Sequence, residues 1–179
     1  MNELSEIQSP PTGNRWIWLV VLLSVASLLG YGYYLQFVKY LDPCPLCITQ
    51  RFFYYGIGIA AIIGMVTARS WGAQRFIGFL AGASAVGGLV TAGRQVWLQH
   101  LPADQVPECG PGLEFWLENM PFLRTLELLF KGDGNCAEVH WRFLGLSIAE
   151  WSLAWFVIFA LVALRMLFMR KRSLTHQSA

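Results

Sequence analysis

Trp16-Ile-Trp-Leu-Val-Val-Leu-Leu-Ser-Val-Ala-Ser-Leu-Leu-Gly-Tyr-Gly-Tyr-Tyr-Leu-Gln-Phe37 carries no charge between Arg15 and Lys39. A helix that crosses a bilayer needs roughly 20 mostly apolar residues, and this stretch supplies them. Working outward, three more stretches meet the same test. Ile48–Ala68 is broken only by Arg51, and Phe76–Trp97 only by Arg94. Leu144–Met169 carries Glu150 near one end and Arg165 near the other. The reading is an all-α membrane protein, a four-helix transmembrane bundle. Its spans lie at about 16–37, 48–68, 76–97 and 144–169, with outer loops at 38–47 and 98–143. The first run is too long for a signal peptide, and no small-residue cleavage site follows it.

Composition agrees. Of 179 residues, 55% are hydrophobic and 13% charged, whereas a soluble domain carries about 25% charged residues. A net charge of +2, with no basic cluster among aromatics, argues against nucleic acid as a partner. No dinucleotide fingerprint, phosphate loop or repeat is present.

Four spans put both termini on one side, with segments 1–15, 69–75 and 170–179. That side carries Arg15, Arg69, Arg75, Arg165, Arg170, Lys171 and Arg172 against Glu3 and Glu6. On the other side acids outnumber bases. Basic residues flanking spans stay in the cytoplasm, so the termini are expected there. All four cysteines then face the opposite, oxidising compartment, where disulfides persist.

Cys44-Pro-Leu-Cys47 leaves a two-residue gap that closes a small, reversible ring suited to thiol–disulfide exchange. Cys47 begins the second helix, whose free N–H groups and dipole favour a thiolate. Arg51 follows one turn later on the same face, where a fixed cation would stabilise a thiolate or a reduced quinone anion. The competing readings are an inert staple and half of a zinc site. Zinc sites usually join two close Cys/His couples, but Cys109 and Cys136 are far apart and no histidine sits at ligand spacing. Cys109 lies in Pro107-Glu-Cys-Gly-Pro-Gly112, and Cys136 follows Lys131-Gly-Asp-Gly-Asn135. The first segment cannot be helical and should be exposed and mobile, and the second is also turn-rich; the pair is fit to present a disulfide to a partner or to clasp a loop. Four cysteines allow three pairings. Between these segments Pro121–Phe130 reads as a short amphipathic helix, with its apolar stripe in lipid or on the bundle.

Ionisable groups in spans are functional candidates, with snorkelling as the plain alternative. Arg51 takes the functional reading because of its register with Cys47. Arg94 fits snorkelling or helix pairing, and Glu150 a structural role. His100, beyond the third span, is a candidate donor to a quinone. No two histidines lie within the spans, so a bis-histidine haem is not expected. Gly78 and Gly82 form a small-xxx-small step for close helix approach.

Cys44-Pro-Leu-Cys-Ile-Thr-Gln-Arg51, Trp97-Leu-Gln-His100, Gly134-Asn-Cys-Ala-Glu138 and Trp141-Arg-Phe-Leu-Gly-Leu146 together resemble the DsbB family of bacterial inner-membrane proteins. The similarity covers nearly the whole chain. It implies a thiol:quinone oxidoreductase that reoxidises a DsbA-like periplasmic thiol oxidase with ubiquinone or menaquinone from the quinone pool. It implies disulfides Cys44–Cys47 and Cys109–Cys136, with Cys109 as the sulfur attacked. Arg51 and His100 would then lie at the quinone. No metal or haem is expected. The alternative is a non-catalytic four-span protein whose disulfides only brace its loops.

Overall fold

A computed structural model of the chain describes residues 13–68, 70–102, 104–110, 115, 118–139 and 141–168. The flanking segments that carry Glu3, Glu6, Arg170, Lys171 and Arg172, together with Arg69, lie outside these residues.

Four long helices carry the apolar runs: α1 (Gly13–Val38), α2 (Pro45–Val66), α3 (Trp71–Gln99) and α5 (Ile148–Phe168). Each is long and apolar enough to cross a membrane. A short helix, α4 (Phe122–Lys131), precedes a 3-10 turn at Gly134–Cys136. An antiparallel hairpin, β1 (Arg142–Phe143) and β2 (Leu146–Ser147), leads into α5.

The helix starts have local causes. Cys44 is the N-cap of α2, its Sγ accepting from Cys47 N, and Pro45 occupies the first helical position. A proline is favoured there because its missing N–H would have no partner anyway. This moves the start of α2 from the expected residue 48 to Pro45 and winds Cys47 into the first turn. Ser70 caps α3 through Ala73 N, so α3 begins at Trp71, earlier than the apolar run alone suggests. Ser147 Oγ accepts from Glu150 N while the Glu150 carboxylate accepts from Ser147 N at 2.7 Å. This reciprocal pair is a capping box, and it gives Glu150 a structural role. The hairpin turn at Leu144 (φ 52°) and Gly145 (φ 85°) displaces the start of the last helix from residue 144 to Ile148.

In the bundle α2 and α3 are central, α1 packs on α2, and α5 packs on α3. The core gathers Trp18, Tyr54, Ile57, Ala85 and Phe156, all buried. Polar atoms inside it are paired: Trp18 Nε1 donates to Gln74 Oε1 at 2.7 Å, and Gln74 Nε2 donates to Gly64 O at 2.7 Å. That pairing matters in lipid, where no water rescues an orphaned group. Phe76, Phe79, Leu161 and Ile59 point outward and are exposed, as a bilayer-facing surface requires. Ideal methyls at Gly78 and Gly82 would lie 3.1 Å from Met166 Cβ and 3.4 Å from Ala163 Cβ. Small residues at these two positions thus let α3 and α5 approach closely.

Candidate active site

Cys44 and Cys47 sit where the loop after α1 enters α2. Their sulfurs are 2.9 Å apart, and all four cysteines of the chain are unbridged. Cys44 belongs to a small buried cluster with Leu46, Leu98 and Cys136. Hydrogen bonding with Cys136, then with Cys47, and then burial itself push the Cys44 thiol well above its usual range. Burial there favours the neutral thiol over the thiolate, because a charged sulfur would be desolvated.

Cys136 is fully buried in the 3-10 turn. Turn-rich composition reads the backbone of this segment, but Leu46 and Leu98 cover the sulfur. Cys109 alone among the cysteines is exposed. Its loop is tied to the turn that carries Cys136. Gly134 N donates to Glu108 O at 3.2 Å, and Gly110 N donates to Asp133 Oδ2 at 3.2 Å. A side chain at Gly134 would meet Pro107 O at 2.5 Å and Cys109 Sγ at 3.0 Å, so only glycine allows this approach. The sulfurs are thus arranged in a series that starts at the surface: Cys109 beside the turn of Cys136, Cys136 beside Cys44, and Cys44 beside Cys47.

Two amides at the site went unread in the sequence. Gln95 of α3 is buried, and its Nε2 donates to Cys47 Sγ at 3.2 Å and to Cys44 Sγ at 3.4 Å. Gln50, also buried, donates from Nε2 to Gln95 Oε1 at 2.7 Å. Uncharged amides inside apolar helices were the available signal.

Arg51 lies one turn beyond Cys47. It donates from Nη1 to Gln36 Oε1 at 2.6 Å and from Nη2 to Gly32 O at 3.4 Å, and it stacks 4.7 Å over the Tyr33 ring. Among the described residues no carboxylate pairs with it. Arg51 and both sulfurs of the CxxC pair line a cavity of about 140 Å³ together with Gln95, Leu35 and Trp141. An adjoining apolar groove of about 360 Å³ runs between α1 and α5, walled by Leu28, Tyr31, Trp141, Trp151 and Trp155. His100 is exposed, with its ring Nδ1 2.8 Å from Val96 O, and it lines neither space. Arg94 lies over Trp97 and donates to Lys131 O at 3.3 Å, fastening α3 to the end of α4. Helix α4 docks on α2 through Thr49, which donates to Leu129 O, and leaves Phe122 and Leu123 exposed. No cluster of residues suited to a metal ion occurs among the described residues.

The chain is similar to proteins of one kind. The family model described as "Disulfide bond formation protein DsbB" matches residues 14–166. "Disulfide bond formation protein B" of Hahella chejuensis is 45% identical over 149 residues, 83% of this chain and 90% of the relative. The Marinobacter nauticus protein of that name is 44% identical over 84% of this chain and 90% of the relative. The one from Azoarcus sp. is 42% identical over 90% and 96%. With the match spanning all four long helices and all four cysteines, the chain belongs to the DsbB family of disulfide bond formation proteins.

Proposed function

We propose that the chain is a thiol:quinone oxidoreductase of the bacterial inner membrane, with both termini cytoplasmic. It reoxidises a DsbA-like periplasmic dithiol oxidase. The carrying observation is the order of sulfurs, from exposed Cys109 through buried Cys136 and Cys44 to half-buried Cys47, with Arg51 one turn beyond.

The exchange balances as follows. A partner thiolate attacks Cys109 of a Cys109–Cys136 disulfide, and Cys136 leaves as a thiolate. The partner's second thiol displaces Cys109, so the partner departs oxidised and the loop pair is reduced. Cys136 then attacks Cys44 of a Cys44–Cys47 disulfide, and Cys47 leaves as a thiolate beside Gln95 Nε2 and Arg51. Cys109 next displaces Cys44, which restores the Cys109–Cys136 bond. The Cys44/Cys47 dithiol now holds two electrons and two protons. A quinone supplies the acceptor for both and the downhill potential that thiol exchange alone lacks. The residues fit such a ring: the groove has aromatic and aliphatic walls, and Arg51 offers a guanidinium with no carboxylate partner among the described residues. Arg51 would hold a quinone oxygen and balance negative charge developing on it. Tyr31, Trp141 and Trp151 would exclude water. His100, placed outside both spaces, is assigned to the periplasmic rim. The orientation is supported by Arg15, Arg75 and Arg165, which lie at the ends of the helices opposite the cysteines.

The test is quinone reduction by the purified protein supplied with a reduced periplasmic dithiol oxidase. Turnover with ubiquinone or menaquinone that disappears in Cys44→Ser is expected. Undiminished turnover in that variant, or none in folded wild type with either quinone, overturns the reading.

A further inference from the structure

We infer that Gln95 is a catalytic hydrogen-bond donor to the sulfurs of the CxxC pair, held in its working orientation by Gln50. The inference rests on the thiol:quinone reading above. Gln95 projects from α3 across the mouth of α2, and its Nε2 lies within hydrogen-bonding distance of both reacting sulfurs, at 3.2 and 3.4 Å. Among the described residues no other side chain does this. Arg51 hydrogen-bonds Gln36 and Gly32, and its bonds reach neither sulfur. Among the described residues the backbone N–H bonded to this pair, Cys47 N, goes to Cys44 Sγ at 3.4 Å. Cys47, the sulfur that carries charge when it leaves, has Gln95 as its amide donor.

An amide has two unlike ends, and which end faces the sulfurs is decided by the network around it. Gln50 Nε2 donates to Gln95 Oε1 at 2.7 Å, and this bond turns the NH2 of Gln95 toward the sulfurs. Both glutamines are 4% exposed, so water does not substitute for either bond. The same amide serves the other protonation state. When Cys47 is a thiol, its S–H points to Gln95 Oε1 at 3.7 Å. When Cys47 is a thiolate, Nε2 is the donor. A neutral donor that follows the proton in this way lowers the cost of charging a half-buried sulfur, and a second fixed cation would hold the thiolate instead of releasing it to re-form the S–S bond.

The test measures Cys47 alkylation by iodoacetamide at neutral pH in the reduced full-length protein, with labelling at Cys47 read by peptide mass spectrometry. Quinone reduction is followed in parallel. Gln95→Met keeps the side-chain volume and removes the donor. Alkylation at Cys47 should slow about tenfold, the scale of one hydrogen bond to a charged group, and quinone turnover should fall with it at unchanged KM for quinone. Gln50→Met leaves the donor present but free to turn, and should slow alkylation about threefold. The double variant should be no slower than Gln95→Met, because the two act through one bond. Wild-type alkylation in Gln95→Met, or additive effects in the double variant, overturns the inference. Where Gln95→Met does not fold, Gln50→Met decides: slowed alkylation supports the inference, and an unchanged rate overturns it. A wild type that reduces no quinone, alongside slowed alkylation in Gln95→Met, overturns the oxidoreductase reading and supports the donor role.

Discussion

Arg51 shows how one residue is held ready without being used up. Its hydrogen bonds go to neutral oxygens of Gln36 and Gly32, and its flat face rests on Tyr33. The charge itself is left for an anion. Hydrogen bonds to charged groups are worth about 1.5–3 kcal/mol. Arg51→Ala should therefore raise the apparent KM for quinone by roughly ten- to a hundredfold, while Cys109 exchanges with the dithiol partner at the wild-type rate. An unchanged KM would remove Arg51 from the quinone site. Asp133 works at the same scale on the other pair. Its Oδ2 accepts from Gly110 N and Asn135 Nδ2, which ties the Cys109 loop to the Cys136 turn, while its buried Oδ1 has no partner among the described residues. Asp133→Ala removes two hydrogen bonds to a carboxylate, of about 1.5–3 kcal/mol each, and lowers the effective concentration of one sulfur at the other. The Cys109–Cys136 disulfide should become easier to reduce by tens of millivolts, as read by equilibration with glutathione. An unshifted equilibrium would make Asp133 a bystander.

At the scale of elements, contact between α3 and α5 depends on missing side chains. A methyl at Gly88 would overlap the Phe156 ring, which is fully buried and stacks on Tyr54 at 4.3 Å between centroids. Gly88→Ala should cost about 1–3 kcal/mol through overpacking, seen as a lowered melting temperature in detergent. Gly72→Ala, whose added methyl meets nothing within 4 Å, should leave the melting temperature unchanged or raised; equal melting of the two variants would deny the close approach. The long helices were legible because a bilayer imposes a length and a composition that no local detail overrides. Helix α4 was legible from its stripe, and it meets α2 through Thr49 and the ring of Phe53, with Phe122, Leu123, Leu126 and Phe130 of that stripe left exposed. The hairpin at 142–147 was not. Trp141-Arg-Phe-Leu-Gly-Leu146 continues into the last apolar run, and a leucine at φ 52° has no signature in composition. Within the site, Cys44, Cys47 and Arg51 could be read because they follow one another at steps of about one turn along the start of α2. The contact of Cys136 with Cys44 and the reach of Gln95 across α2 are tertiary, and spacing along the chain carries no trace of them.

The arrangement of the whole bundle creates the groove. Because α1 rests on α2 and α5 on α3, the outer helices do not close on each other, and an apolar slot remains between them that ends at Arg51 and the CxxC pair. A lipid-soluble acceptor would need no passage through water to reach the sulfurs. Gly32 lies on the wall of that slot, and a Cβ there would sit 3.8 Å from Arg51 Nη2, ordinary contact that leaves α1 undisturbed. A longer side chain would extend into the slot. Gly32→Leu also exchanges a poor helix former for a good one, so the protein should fold at least as stably as wild type. Its kcat/KM for quinone should fall at least about tenfold, the loss of a well-filled binding contact, while thiol exchange at Cys109 continues. Gly30→Leu, on the same helix with nothing within 4 Å of its added Cβ, should leave both reactions at wild-type rates. Quinone kinetics in Gly32→Leu that match those of Gly30→Leu would mean that the acceptor reaches Cys47 by another route.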